Sequence, residues 1–132
     1  MTTPIEPGDA RALTRALVQV DSRNPTLVRG APGEGPCADV LRRVLDAWGF
    51  RTELQDAAPG RPNLVARIGG TPGRESSRSL MFNGHLDVVG TEGMIHPPFA
   101  ADEREGRLYG RGSADMKGGI AAMCAAALRA SH

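Results

Sequence analysis

The sequence predicts an α/β fold, layered as helix, sheet and helix, from three observations. Apolar residues recur at helical spacing near residues 10–20, 37–48 and 116–130. Runs with the alternating character of strands lie between them. Seventeen glycines and ten prolines in 132 residues break the chain into short elements. Helices that alternate with strands argue for an α/β layered domain over a bundle or a sandwich. The length allows one domain or part of one, here residues 1–132, because two cores would each be too small to bury enough surface.

Asp9 stands where an N-cap belongs, and Leu13, Leu17 and Val20 follow at helical spacing, which predicts a helix over Ala10 to Val20. Asp21 to Pro36, with three prolines and three glycines, reads as a long connection of the kind that is often functional or mobile. A second helix is expected over Cys37 to Trp48, with Val40, Leu41, Val44, Leu45 and Trp48 on one stripe and Gly49 as its stop. Strands are expected over Phe50 to Leu54, Asn63 to Ile68 and Leu80 to Val89, with an exposed hairpin or loop over Gly69 to Ser79. A short strand around Arg107 to Tyr109 leads through Gly110 and Gly112 into a last helix, Met116 to Ala130. That helix is smooth on nearly every side and so expects neighbours on nearly every side, which suggests the front portion of a longer domain.

Composition narrows the function. Sixteen basic against fifteen acidic side chains leave a formal charge of +1, too little for a phosphate-binding face, so nucleic acid is excluded as a partner. Cys37 and Cys124 form no CxxC pair, which fits a reducing cytoplasm. The start, with Pro4, Glu6, Pro7 and Asp9, has none of the features of a secretory signal. The longest apolar run, Ile120 to Leu128, is under half the roughly 20 residues that span a bilayer, so no membrane role is expected.

Two stretches carry chemistry. On a strand over Leu80 to Val89, Met81, Asn83, His85, Asp87 and Val89 share one face, and Leu80, Phe82, Leu86 and Val88 the other. An imidazole and a carboxylate two residues apart then point the same way, and the carboxylate can fix the ring tautomer while the second nitrogen binds a metal. The plainer alternative is a surface histidine beside a solvated aspartate. The second stretch runs from Gly110 to Gly119. It lacks the Gly-Lys-Ser/Thr of a phosphate loop, and Asp115 replaces the third glycine of a dinucleotide fingerprint. Asp115 at the mouth of the last helix reads either as an N-cap or as a metal ligand whose flanking glycines let cations approach. Lys117 is expected exposed on the first helical turn and without a catalytic role. His96 and His132 read as loop and terminal residues, and Arg107 and Arg111 as solvated side chains that can meet an acidic group.

Asn83-Gly84-His85-Leu86-Asp87-Val88-Val89, His96-Pro97-Pro98-Phe99 and Gly106 to Gly119 resemble, in order, the M20 metallopeptidase family. That family includes acetylornithine deacetylase, succinyl-diaminopimelate desuccinylase and glutamate carboxypeptidase. The resemblance implies the amino-terminal part of a zinc-peptidase catalytic domain, without the lid or dimerisation domain. By the same resemblance His85 is a ligand of one zinc, Asp115 bridges two zincs, Asp87 orients His85, and the peptide bond after Asp115 is often cis. Zn2+, with Co2+ as a substitute, is the implied cofactor, and an N-acyl amino acid or short peptide is the implied substrate of amide hydrolysis. A homodimer is compatible with full-length members. Met94 departs from the aromatic residue common before the His-Pro-Pro-Phe stretch. The family's Glu-Glu pair, which supplies the general base and a metal ligand, and its later acidic and histidine ligands have no counterpart in these 132 residues. The chain is therefore expected to bind metal weakly and to be inactive alone, as a truncated hydrolase. A non-catalytic binding module and a subunit completed in trans are the alternatives.

Overall fold

The computed structural model describes residues 4–69 and 78–131. Helix α1, Ala10–Val18, starts at Asp9, whose carboxylate accepts the Ala12 N–H at 2.9 Å and so satisfies one of the amides that a helix start leaves free. It is two residues shorter than its apolar spacing predicts. Helix α2, Gly35–Ala47, takes Pro36 into its first turn, where no backbone N–H is needed. Trp48 caps its end, and Gly49, at φ 89°, turns the chain so that Phe50 N–H reaches Leu45 O at 2.9 Å.

Strands β1, Arg51–Ala58, and β2, Arg61–Arg67, pair antiparallel, with Leu54 opposite Leu64 and an irregularity between Asp56 and Ala58. β1 is longer than predicted because pairing with β2 carries the ladder through polar residues that show no apolar alternation. A second antiparallel hairpin joins β3, Asp102–Arg104, to β4, Arg107–Tyr109. Its two turn residues, Glu105 at φ 50° and Gly106 at φ 74°, both lie in the left-handed region, as a tight two-residue hairpin of this twist requires. The Asp-Glu-Arg sequence of β3 offers no hydrophobic alternation, so β4 alone is visible in the sequence.

The expected strand over Leu80 to Val89 does not form among the described residues. Its one bridge is parallel, between Arg23 and Val88. Val88 N–H donates to Ser22 O at 3.0 Å, and Asn24 N–H donates to Val88 O at 2.8 Å. A strand is a ladder, and alternation in one segment cannot supply the second rail. Leu80 and Met81 are 80% and 83% solvent-accessible. Gly69, Arg78 and Ser79 apart, the loop expected over Gly69 to Ser79 lies outside the described residues, as does His132.

Helix α3, Gly118–Ala130, starts two residues later than predicted, because Asp115 (φ −125°, ψ 97°) and Met116 (φ −138°, ψ 31°) are non-helical. The peptide bond between them is cis, as the resemblance implies. Ile120, Ala121, Ala125 and Leu128 bury one side of α3 against a core that holds Leu13 and Leu17 of α1 and Leu41 and Leu45 of α2, while Ala122 and Ala126 stay exposed. Trp48 closes one edge of this core, its indole N–H donating to Ile5 O at 3.1 Å. Cys37 is buried, Cys124 is half-buried, and both thiols are free. No described helix is long and apolar enough to cross a membrane.

Candidate metal centre

Three pieces of chain converge at the mouth of α3: the connection after α1, the extended segment ending at Val88, and the turn over Ser113–Lys117. Each is fixed by contacts distant in sequence. Ser22 Oγ donates to Leu86 O at 2.7 Å, and with the Val88 bridge this pins the carboxyl end of the extended segment to the connection. Gly84 lets the same segment lie flat on α3. A Cβ there would stand 2.6 Å from Ile120 Cδ1 and 3.0 Å from Met116 Cε. Gly112, at φ 83°, turns the second approach, and a Cβ at that position would meet Val88 Cγ1 at 2.6 Å.

The result brings His85 and Asp115 together. Imidazole Nε2 stands 3.1 Å from Asp115 Oδ1, and Nδ1 stands 2.9 Å from the main-chain oxygen of Asp87 and 3.4 Å from its carboxylate. A carbonyl oxygen can only accept, so Nδ1 carries the hydrogen and donates it, leaving Nε2 to face Asp115. The carbonyl of Asp87, then the carboxylate of Asp115, favour the doubly protonated ring and raise the His85 pKa above its ordinary value. A cation at Nε2 takes the place of that second proton, so metal and proton compete for one lone pair.

Asp87 thus holds the ring chiefly through its backbone. Its side chain is itself held, with Oδ2 accepting from Asn24 Nδ2 at 2.8 Å. Asp115 is free of the alternative role at the helix entrance: no side chain caps α3, whose N-cap position is Lys117. Its side chain remains 85% exposed, aimed at His85 rather than at helix amides.

Lys117 corrects the sequence reading outright. It is wholly buried, not exposed, and its ammonium donates to Leu17 O and Val20 O, each at 2.9 Å. These are carbonyls of the last turn of α1 and just beyond it, where a helix runs short of donors; Leu17 O accepts the Val20 N–H as well, at 3.2 Å. Burial lowers the pKa of Lys117, an effect offset in part by Cys37 and Asp21. The ammonium therefore ties α1 to the turn that carries Asp115. Nothing local signals this role, because the acceptors lie 100 and 97 residues earlier in the chain. Asn24 and Ser22 were also hidden, except that the long connection holding them had the length of a functional one.

His85 and Asp115 together suit a zinc ion. Two ligands at about 2.0–2.1 Å from a tetrahedral ion stand about 3.3 Å apart, close to the observed 3.1 Å, and imidazole nitrogen with carboxylate oxygen is a common zinc donor set. The described residues bring together no group of three His, Cys, Asp or Glu side chains able to hold a metal. His96 packs its ring on Tyr109 at 4.6 Å between centroids, outside this centre. Around the centre lies a cleft of about 100 Å3, lined by His85, Asp87, Val88, Val89, Arg111 and Asp115.

The chain is 42% identical to the succinyl-diaminopimelate desuccinylase of Gluconobacter oxydans over 98% of its own length and 32% of the relative's. It is 40% identical to the enzyme of the same name from Paracoccus denitrificans, over 96% of the chain and 30% of the relative. An N-formyl-4-amino-5-aminomethyl-2-methylpyrimidine deformylase of Halalkalibacterium halodurans is 39% identical over 89% of the chain and 28% of the relative. The chain thus spans about a third of the length of the curated relatives it matches. Residues 81–132, which contain His85, Asp87 and Asp115, match the model of peptidase family M20/M25/M40.

Proposed function

We propose that this chain supplies the His85 and Asp115 ligands of a zinc-dependent amide hydrolase that removes the acyl group from an N-acyl amino acid or short peptide. The convergence of His85 Nε2 and Asp115 Oδ1 at 3.1 Å carries this reading. The names of the relatives, two desuccinylases and a deformylase, support an acyl group on nitrogen as the target. In this reading the described elements belong to a layered helix–sheet–helix catalytic domain working in the cytoplasm.

Bound zinc supplies acidity to a water and polarisation to the scissile carbonyl. His85 holds its place through Nδ1–H and the Asp87 carbonyl, so Nε2 is presented without further ordering cost. Asp115 offers one oxygen toward His85 from a side chain that is 85% exposed, and it would have room to hold a second cation. Asn24 restrains the Asp87 carboxylate through one oxygen, while the other lies toward the His85 ring. A catalytic zinc generally has three protein ligands, and two are assembled among the described residues, so the chain alone binds zinc weakly and does not turn over.

Zinc titration followed by the His85 ring resonances and by calorimetry tests this. The expected result is weak binding that shifts the His85 ring, is lost in His85→Ala and Asp115→Ala, and brings no hydrolysis of N-acetyl amino acids. Binding indifferent to both substitutions overturns the site, and submicromolar stoichiometric binding with amide hydrolysis overturns the inactivity of the chain alone.

A further inference from the structure

The cleft beside His85 and Asp115 holds one cation among its lining residues, Arg111, and that cation is not accounted for by the metal centre. Each carboxylate of the cleft already has a partner: Asp87 takes Asn24 and lies near His85, and Asp115 takes His85. Among the described residues Arg111 makes no ion pair, and its buried Nε has no hydrogen-bond acceptor. Arg42 Nε is similarly buried, but Arg42 pairs with Asp39 on the surface of α2 and lines no such cleft. The backbone around Arg111 is fixed, because its N–H donates to Pro98 O at 2.7 Å and Gly112 packs against Val88. An arginine held by its backbone beside a cleft, with a desolvated donor unused, lacks an acceptor.

We infer that Arg111 is a binding residue for a carboxylate of the substrate. A planar guanidinium matches a carboxylate bidentately, and the charge-assisted bonds are the strong ones. The cleft, about 100 Å3, has room for a carboxylate beside Arg111 and is open to solvent, so the remainder of the substrate can extend from it. The carboxylate comes either from the acyl chain or from the amino acid, and both present the same group. This names a substrate class for the deacylase reading above and rests on that reading for the reaction, though not for the binding.

The test is an NMR titration of the intact chain, with and without zinc, using N-acetylglycine, succinate and N-acetylglycinamide. The first two carry a carboxylate and the third replaces it with a neutral amide. Arg111 requires that both carboxylates shift its Nε–H resonance and bind at least tenfold more weakly to Arg111→Gln, while the amide is unaffected. Arg111→Lys keeps the charge without the fork and recovers part of the loss. A stronger effect on N-acetylglycine than on succinate assigns the amino acid's carboxylate, and the reverse assigns the acyl chain's. Equal binding of the carboxylates to the wild-type chain and Arg111→Gln overturns the inference, as does equal binding of carboxylate and amide. The zinc-induced shift of the His85 ring, retained in Arg111→Gln, reports an intact centre. Failure of zinc to shift that ring in the wild-type chain counts against the metal reading, whereas the carboxylate titration decides Arg111 in either case.

Discussion

The β1–β2 hairpin and the extended segment from Leu80 to Val89 are both expected as strands from the sequence and are opposite in outcome. The hairpin is largely polar and exposed, yet every residue from Arg51 to Asp56 has a cross-strand partner. The segment is the more apolar of the two, yet it bridges at Val88 alone. Hydrophobic alternation states which side chains want cover, whereas a ladder depends on what the rest of the chain lays alongside. The segment also differs along its own length. Its carboxyl end is clamped by Ser22, Asn24, Gly112 and, through the Asp115 turn, Lys117, whereas its amino end, Leu80 to Phe82, is exposed. His85 sits at the boundary, close enough to the clamp to be held.

Breaking the clamp should cost most at Lys117. Lys117→Met removes the donor shared by Leu17 O and Val20 O, leaving Leu17 O with the Val20 N–H alone and Val20 O without the ammonium, and about 3 kcal/mol of unfolding free energy should be lost in urea titration. Retention of wild-type stability would show that the ammonium does not hold α1 to the Asp115 turn. Gly112→Ala combines a left-handed φ with a Cβ at 2.6 Å from Val88 Cγ1, and should cost about 2 to 3 kcal/mol. Gly84→Ala meets only the ends of flexible side chains at an ordinary φ, so about 1 kcal/mol is expected, together with a shift of the His85 ring resonances.

The connection that forms the other rail should show itself at low pH. The Arg23 guanidinium, hydrogen-bonded to Asp21, holds that carboxyl below its ordinary 3.8. A carboxyl depressed in the folded state contributes stability above its unfolded pKa and loses it as pH falls through the folded value. Asp21→Asn should therefore lower stability at neutral pH by no more than about 1 kcal/mol and flatten the loss below about pH 4, measured by thermal melts from pH 7 to 2. At the open end, Phe82→Ser should change stability by less than about 0.5 kcal/mol. Hydrogen exchange sharpens the contrast within one segment: the Val88 amide, bonded to Ser22 O, should exchange slowly, and the amides of Met81 and Phe82 rapidly. Protection at Phe82 equal to that at Val88 would erase the distinction between the two ends.

Sequence alone determined what depends on neighbours along the chain. Asp9 as a cap, the stripes of α1, α2 and α3 and the stop at Gly49 all follow from spacing within a few residues. The ordered motifs from Asn83 to Gly119 marked His85 and Asp115 as one centre, but spacing left open whether Asp115 caps a helix or faces a cation. Tertiary structure removes the cap, by placing Asp115 Oδ1 at the histidine and leaving α3 without a side-chain cap. It alone revealed Lys117 as a buried tie, Asn24 as the restraint on Asp87, and the extended segment as bridged at one end. Each of those depends on a hydrogen bond that closes over sixty or more residues, and no local pattern encodes which distant carbonyl, amide or strand edge will be there to complete it.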